Sequence, residues 1–351
     1  MPEPLATLPL QYIRSIGDQL QRMGIDVAAW LVGSGVSQAW LSDARSTVDL
    51  SQFNRLVVQS VAISGEPAIG LLVGERLLAS SHGLLGYAAS SSGTLRQAIG
   101  VFERFVRLRA PFLTVSLAER AGQARVIVEE TLPLGAAQHS VLDAVVLSVK
   151  NMLDSISLGA CRVVRVAFPF AAPTYKLLAR QMFGCDVAYG QTWAGIVLPA
   201  NVLDAPLRMA DAQAFEQAAA FCQRELDKLR ANESMAARVR RLLLEKQNGF
   251  PSLQVTARLC HLTPRTLHRK LLGEGTSYRA LIEEVRYQLA VEHMRAGHFS
   301  IEEIAYTLGY TDLANFRRAF KRWAKVPPSV YRRMRQDARR KSPAVRQPTD
   351  Y

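Results

Sequence analysis

The chain has 351 residues, 49% of them hydrophobic and 21% charged, with a mean hydropathy of +0.03. That length supports two domains, each with its own core, and no apolar run approaches the roughly 18 residues of a spanning helix. The net charge of +13 is unevenly placed: residues 1–230 hold 20 Lys+Arg against 19 Asp+Glu, while residues 231–351 hold 23 against 11, so a polyanionic partner is implied for the second part alone.

Helical periodicity comes first. Apolar residues recur at helical spacing through Leu8, Ile13, Ile16 and Leu20, then through Phe53, Val57 and Val61. The stretch from Thr94 to Leu108 continues with Leu95, Ile99, Val101, Phe102 and Phe105, with Gly93 or Thr94 placed to cap it. The period then changes to two. Leu113, Val115 and Leu117 alternate, and beyond a turn at Ala121-Gly122 so do Ala124, Val126 and Val128, which predicts a hairpin with one covered face. A helix from Ser140 to Ser157 leads to a third strand through Val164, Val166, Phe168 and Phe170. A helix from Tyr175 to Met182 precedes a fourth strand from Gly195 to Leu198. Residues 1–210 therefore read as a mixed α/β (α+β) domain. Residues 211–231 read as a helical connector or interface helix, 232–335 as an all-α domain, and 336–351 as a basic flexible tail.

The helical third contains an internal repeat. Leu253, Ala257 and Cys260 align with Ile301, Ala305 and Leu308 at an offset of 48. Past the turn, Leu267, Arg269 and Leu271 match Phe316, Arg318 and Phe320 at an offset of 49. Each copy reads as a short helix, a tight turn and a second helix, with a small alanine where the two approach closely. Between the copies, Ser277 to Arg295 reads as one long helix with an apolar stripe of Ile282, Val285, Leu289 and Met294. If that rod sets the two second helices about 34 Å apart, both enter successive major grooves on one face of a duplex.

This arrangement resembles the AraC/XylS (arabinose-regulator) family of bacterial transcription regulators from about Met235 to Met334. The second copy carries it most specifically: Ser300-Ile-Glu-Glu-Ile-Ala305, Leu308-Gly309-Tyr310, Phe316-Arg-Arg-Ala-Phe320-Lys-Arg-Trp323 and Val326-Pro327-Pro328-Ser-Val-Tyr331-Arg332. The first copy, Leu262-Thr263-Pro264-Arg265-Thr266-Leu267-His268-Arg269-Lys270-Leu271, is also typical. Two positions depart from the family pattern, His261 and Lys325, each standing where glycine is common. The resemblance implies a cytoplasmic, nucleoid-associated regulator, more often an activator than a repressor. Its partners would be double-stranded promoter DNA, RNA polymerase if it activates, and no membrane; neither cofactor nor metal is implied.

On the first recognition helix Leu267 and Leu271 should face inward, leaving Arg265, His268 and Arg269 outward at positions that match the family's base or groove contacts. Arginine suits guanine O6 and N7, and His268 suits base or phosphate. On the second, Leu313, Ala314, Arg317 and Arg318 form the candidate reading face, with only apolar contact available to Leu313 and Ala314. Thr263, Ser300, Lys321 and Arg322 are candidate phosphate contacts, largely independent of sequence. Trp323 and Tyr331 read as core anchors.

Upstream, His82-Gly-Leu-Leu-Gly86-Tyr87-Ala88, Thr94-Leu95-Arg-Gln-Ala98, Phe183-Gly184-Cys185 and Leu203-Asp-Ala-Pro206-Leu207 look like the sensory domain of amino-acid-utilisation regulators in the same family. The resemblance implies a small-molecule effector and leaves room for a homodimer. His82, Tyr87, Arg107, Arg109 and Trp193 are the effector candidates, the arginines fitting a carboxylate. No G-x-S-x-G elbow, Walker A loop, H-E-x-x-H or Rossmann fingerprint occurs, so no catalytic residue is assigned. The four cysteines, Cys161, Cys185, Cys222 and Cys260, have neither zinc nor disulfide spacing and suit a reducing compartment. Two other readings stay open: a DNA-repair enzyme fused to this DNA-binding module, which needs a reactive cysteine, and a purely architectural DNA-binding protein, which needs neither sequence preference nor ligand.

Overall fold

The computed structural model describes residues 7–36, 47–231, 234–244, 249–296 and 299–333. The chain divides into two compact units, with the boundary in sequence after Ala231. The tail expected at 336–351 lies outside the described residues.

The first unit is mixed α/β. Strand β1 (Thr7–Pro9) pairs antiparallel with β2 (Thr47–Asp49). Helices α1 (Gln11–Arg22), α2 (Val27–Gly33), α3 (Leu50–Ser64), α4 (Ile69–Arg76), α5 (Leu84–Ser90) and α6 (Leu95–Phe105) fill most of the first hundred residues. Leu8 belongs to β1 and not to the helix its spacing suggested; the helical phase begins only at Gln11. Thr94 is the cap of α6, its hydroxyl accepting from Gln97 N at 3.1 Å.

The hairpin forms as its alternation requires. Strands β3 (Leu113–Arg120) and β4 (Gln123–Glu130) pair so that Arg120 faces Gln123 across Ala121-Gly122. Both turn residues take positive φ, 50° and 75°, the pattern of a two-residue turn that matches strand twist. With β5 (Arg165–Ala167), β6 (Asp186–Ala188) and β7 (Ala194–Pro199) they form a sheet of order β3-β4-β7-β5-β6, antiparallel except for the β5–β6 pair. Central β7 is buried along almost its whole length, hence its unbroken apolar run.

Helix α7 (Gln138–Ile156) crosses α4 with the backbones almost touching. A Cβ at Gly70 would lie 2.2 Å from Ser140 O, and one at Gly74 would lie 2.7 Å from Ala144 backbone. Helix α8 (Lys176–Phe183) precedes β6. Helix α9 (Ala212–Ala231), read above as a connector, packs on α5 and places Ala218, Cys222 and Leu226 in the core of the first unit.

The second unit is helical throughout its described residues: α10 (Met235–Leu244), α11 (Leu253–Leu259), α12 (Pro264–Gly273), α13 (Tyr278–Ala296), α14 (Ile301–Thr307), α15 (Leu313–Ala324) and a helical segment at 328–333. It has two small cores. One joins Ala236, Val239 and Leu243 to Ala257, Leu267, Leu271, Leu281 and Val285. The other joins Ala290, Val291 and Met294 to Ile304, Ala305, Leu308, Phe316 and Phe320. Helix α13 thus gives its first half to one core and its second half to the other. At about 100° per residue, Leu281 and Ala290 lie on opposite sides of it, so two faces replace the single stripe expected from sequence.

Candidate nucleic-acid interface and effector cavity

The two helix pairs are superposable in their bonding. Ser252 and Ser300 cap α11 and α14. Each first helix ends on a residue in left-handed backbone, His261 at φ 57° and Gly309 at φ 76°. The next amide then reaches back five residues in both copies: Leu262 N bonds Ala257 O at 2.8 Å and Tyr310 N bonds Ala305 O at 3.0 Å. Thr263 and Asp312 cap the second helices α12 and α15, accepting from Thr266 N at 3.2 Å and Asn315 N at 2.6 Å. His261 therefore adopts the glycine conformation with a Cβ, and Lys325, at φ 62°, does so at the end of α15.

On α12, Leu267 and Leu271 are fully buried, while Arg265, His268 and Arg269 are exposed. Among the described residues no ion pair or hydrogen bond engages those three side chains, so the face is open to an external acceptor. On α15, Ala314, Arg317 and Arg318 are exposed, but Arg318 Nη2 bonds Asn315 Oδ1 at 2.8 Å, and Asn315 is itself bonded to Asp312. Leu313 is half-buried and packs on the second core. Lys321 is exposed, whereas Arg322 pairs with Glu283 of α13 at 2.8 Å. Ser300 shares its helix end with Glu302 and Glu303, whose carboxylates repel phosphate; Thr263 shares its end with Arg265. Trp323 and Tyr331 pack against the second core, as their anchor reading required.

The first unit holds a partly open cavity of about 110 Å³ between α1, α3, α4, α6, α7 and the start of β3. Its wall is apolar apart from Tyr12, Ser60, His82, Arg109, Ser140 and Ser148, and it contains no Asp or Glu. Ser148 Oγ donates to Leu77 O at 3.0 Å, so its oxygen accepts from His82 Nε2 at 2.8 Å; His82 Nδ1 then accepts from the Tyr12 hydroxyl at 3.1 Å. Burial, and after it the charge of Arg109, pushes His82 down to about 4, so the ring is neutral at pH 7. Burial holds the Tyr12 hydroxyl above its ordinary range. Arg109 lies over the Tyr12 ring at 5.5 Å and donates from Nη2 to Ser81 O at 3.2 Å. Its Nε is buried without a partner, and among the described residues no carboxylate pairs with it.

Two family models match the chain: the arabinose-binding domain of AraC transcription regulators over residues 24–207, and a helix-turn-helix domain over residues 256–334. The chain is 31% identical over 325 residues to the ornithine utilization regulator of Pseudomonas aeruginosa, covering 93% of this chain and 96% of that protein. The chain belongs to the AraC family of transcription regulators. An uncharacterized HTH-type transcriptional regulator of Mycobacterium tuberculosis is 27% identical over 333 residues, covering 93% and 96% of the two chains. The crystal structure of the regulator CdpR from Pseudomonas aeruginosa matches over 92% of this chain and 98% of its own, with 23% identity and a TM-score of 0.47.

In this AraC-type chain the effector candidates separate. His82 and Arg109 line the cavity; Tyr87 and Arg107 are exposed away from it, and Trp193 instead stacks with Arg125 at 5.3 Å. Arg107 lies in the 3₁₀ turn Val106–Leu108, and that tight turn sends it outward while Arg109 turns in. Sequence reasoning missed Tyr12 and Ser148, the two partners of His82, which lie 70 and 66 residues from it. Two motif segments do meet: Arg96 N bonds Leu203 O at 2.9 Å, Leu207 N bonds Gly93 O at 2.9 Å, and Arg96 Nε pairs with Asp204 at 2.7 Å. They lock α6 to the segment that follows β7. No single helix among the described residues is long and apolar enough to cross a membrane.

Proposed function

We propose that this AraC-family chain is a sequence-specific promoter-binding regulator, in the direction of activation, and that a small molecule held by its first unit controls it. The observation that carries the reading is the unengaged face of Arg265, His268 and Arg269 on α12, which offers bidentate donors of the kind that read guanine. Helix α15 contributes Ala314, Arg317 and Arg318 and serves more to position than to read, because Arg318 is tied to Asn315. Thr263 and Lys321 take phosphate; Arg322 joins them only by leaving Glu283, and Ser300 and Leu313 act chiefly as cap and core. The effector regulates by binding the DNA-competent state with a different affinity from the incompetent one. RNA polymerase and a second copy of the chain are the partners of an activator built this way, in the cytoplasm.

Footprinting on the promoter beside its gene tests the reading. Protection should cover two successive major grooves, and affinity should fall steeply with salt as phosphate counterions are released. Protection of one groove only, unaffected when either helix pair is disabled, would overturn it.

A further inference from the structure

The geometry points to a small apolar monocarboxylate as the occupant of the first unit's cavity, its carboxylate on Arg109 and its tail among the side chains of α3, α4 and α7. The inference rests on reading the first unit as effector-responsive and adds to it the chemical class of the ligand.

Three observations carry it. The first is a guanidinium at the wall of an apolar cavity with no carboxylate opposite it and with Nε unbonded. Arginine's fork matches a carboxylate bidentately, and a turn of the guanidinium off the Tyr12 ring would bring its unpartnered Nε to such an acceptor. Arg109 is also half-buried, so it marks the place where cavity and solvent meet. The second is the state of the other polar groups. Ser60 donates to Val57 O at 2.7 Å, and Ser148, His82 and Tyr12 are bonded to one another in a chain, which leaves Ser140 and Arg109 as the donors for a polyhydroxylated ligand. The third is the lining itself. Val57, Val73, Val141, Val145, Val149 and Met152 offer only hydrocarbon, and with no Asp or Glu present a cationic amine has no counter-charge. On the same measure a single water needs about 10–15 Å³, so the cavity of about 110 Å³ takes a chain of several heavy atoms, and hexanoate is a natural probe.

Calorimetry and thermal shift on the full chain, with butanoate, hexanoate, octanoate, hexan-1-ol, hexylamine and L-ornithine, test the proposal. Affinity should rise about fourfold per methylene up to the length that fills the cavity and then level off. Hexan-1-ol should bind about tenfold or more weakly than hexanoate, because it lacks the charged partner for Arg109. Hexylamine and L-ornithine should not bind. Arg109→Gln should erase the preference of hexanoate over hexan-1-ol. If that variant fails to fold, Val145→Phe, which fills the cavity and leaves Arg109 in place, should abolish hexanoate binding. Binding of L-ornithine in place of the acids, or equal binding of acid and alcohol, overturns the proposal. So does failure of every acid to bind. If hexanoate binds as expected and DNA affinity does not change, the ligand class stands and the effector-control reading of the first unit falls.

Discussion

The two helix pairs of the second unit share a backbone and differ in almost everything attached to it. The first is held by aliphatic side chains around Leu267 and Leu271; the second is held by an aromatic cluster in which Phe320 contacts Tyr287, Phe316, Trp323 and Tyr331. The first presents arginines with no internal partner, whereas the second ties Arg318 to Asn315 and Arg322 to Glu283. The first turns on a histidine with left-handed backbone; the second turns on glycine and starts from a capping box. The pattern is a division of labour within a duplicated fold. The second pair ties its polar groups into internal bonds and caps, and the first leaves Arg265, His268 and Arg269 exposed, as the proposed reading of DNA requires.

Variants made in matched pairs can break or sharpen this contrast. The largest effect is expected from Phe320→Ala, which should cost about 3–5 kcal/mol. Leu271→Ala should fall lower in the range of about 2–5 kcal/mol. Hydrogen exchange of the α15 and α12 amides reads each loss locally, and equal losses would erase the claimed difference in anchoring. Next, Arg269→Ala should weaken specific DNA binding by about 1–3 kcal/mol while sparing scrambled DNA. Arg318→Ala should weaken both duplexes alike and by less, and titrations on the two duplexes compare them. At the turns, Gly309→Ala should destabilise the second pair by about 1–2 kcal/mol, since φ is 76° there. His261→Gly should stabilise the first pair by up to about 1 kcal/mol; a loss in urea denaturation would show that the histidine side chain makes a compensating contact. The smallest effect is expected at the caps. Ser300→Ala should cost about 1 kcal/mol, more than Ser252→Ala, because only Ser300 is reciprocated by a glutamate, Glu303.

Much of this architecture was legible because its signals are local. The hairpin at Ala121-Gly122 is written in strict alternation, and the repeat in the second unit shows at an offset of 48 before the turn and 49 after it, a step that the hydrogen bonds reproduce. Strands of three residues, such as β1, β2 and β6, are too short to show a period. The two-faced burial of α13 hides its phase, since apolar residues all round a helix yield no single stripe. The cavity was the least legible feature. Arg107 and Arg109 are indistinguishable in sequence until the 3₁₀ turn between them is known, and the partners of His82 come from distant helices.

The way α13 serves both cores has a consequence for how this region can vary. One residue added between Val285 and Ala290 would leave either core able to form. It would also twist one helix pair by about 100° relative to the other and advance it by about 1.5 Å. On the proposed reading, the two pairs could then no longer meet successive grooves of one duplex together. Chain length in the middle of this rod is therefore a more tightly constrained quantity than the identity of its exposed side chains.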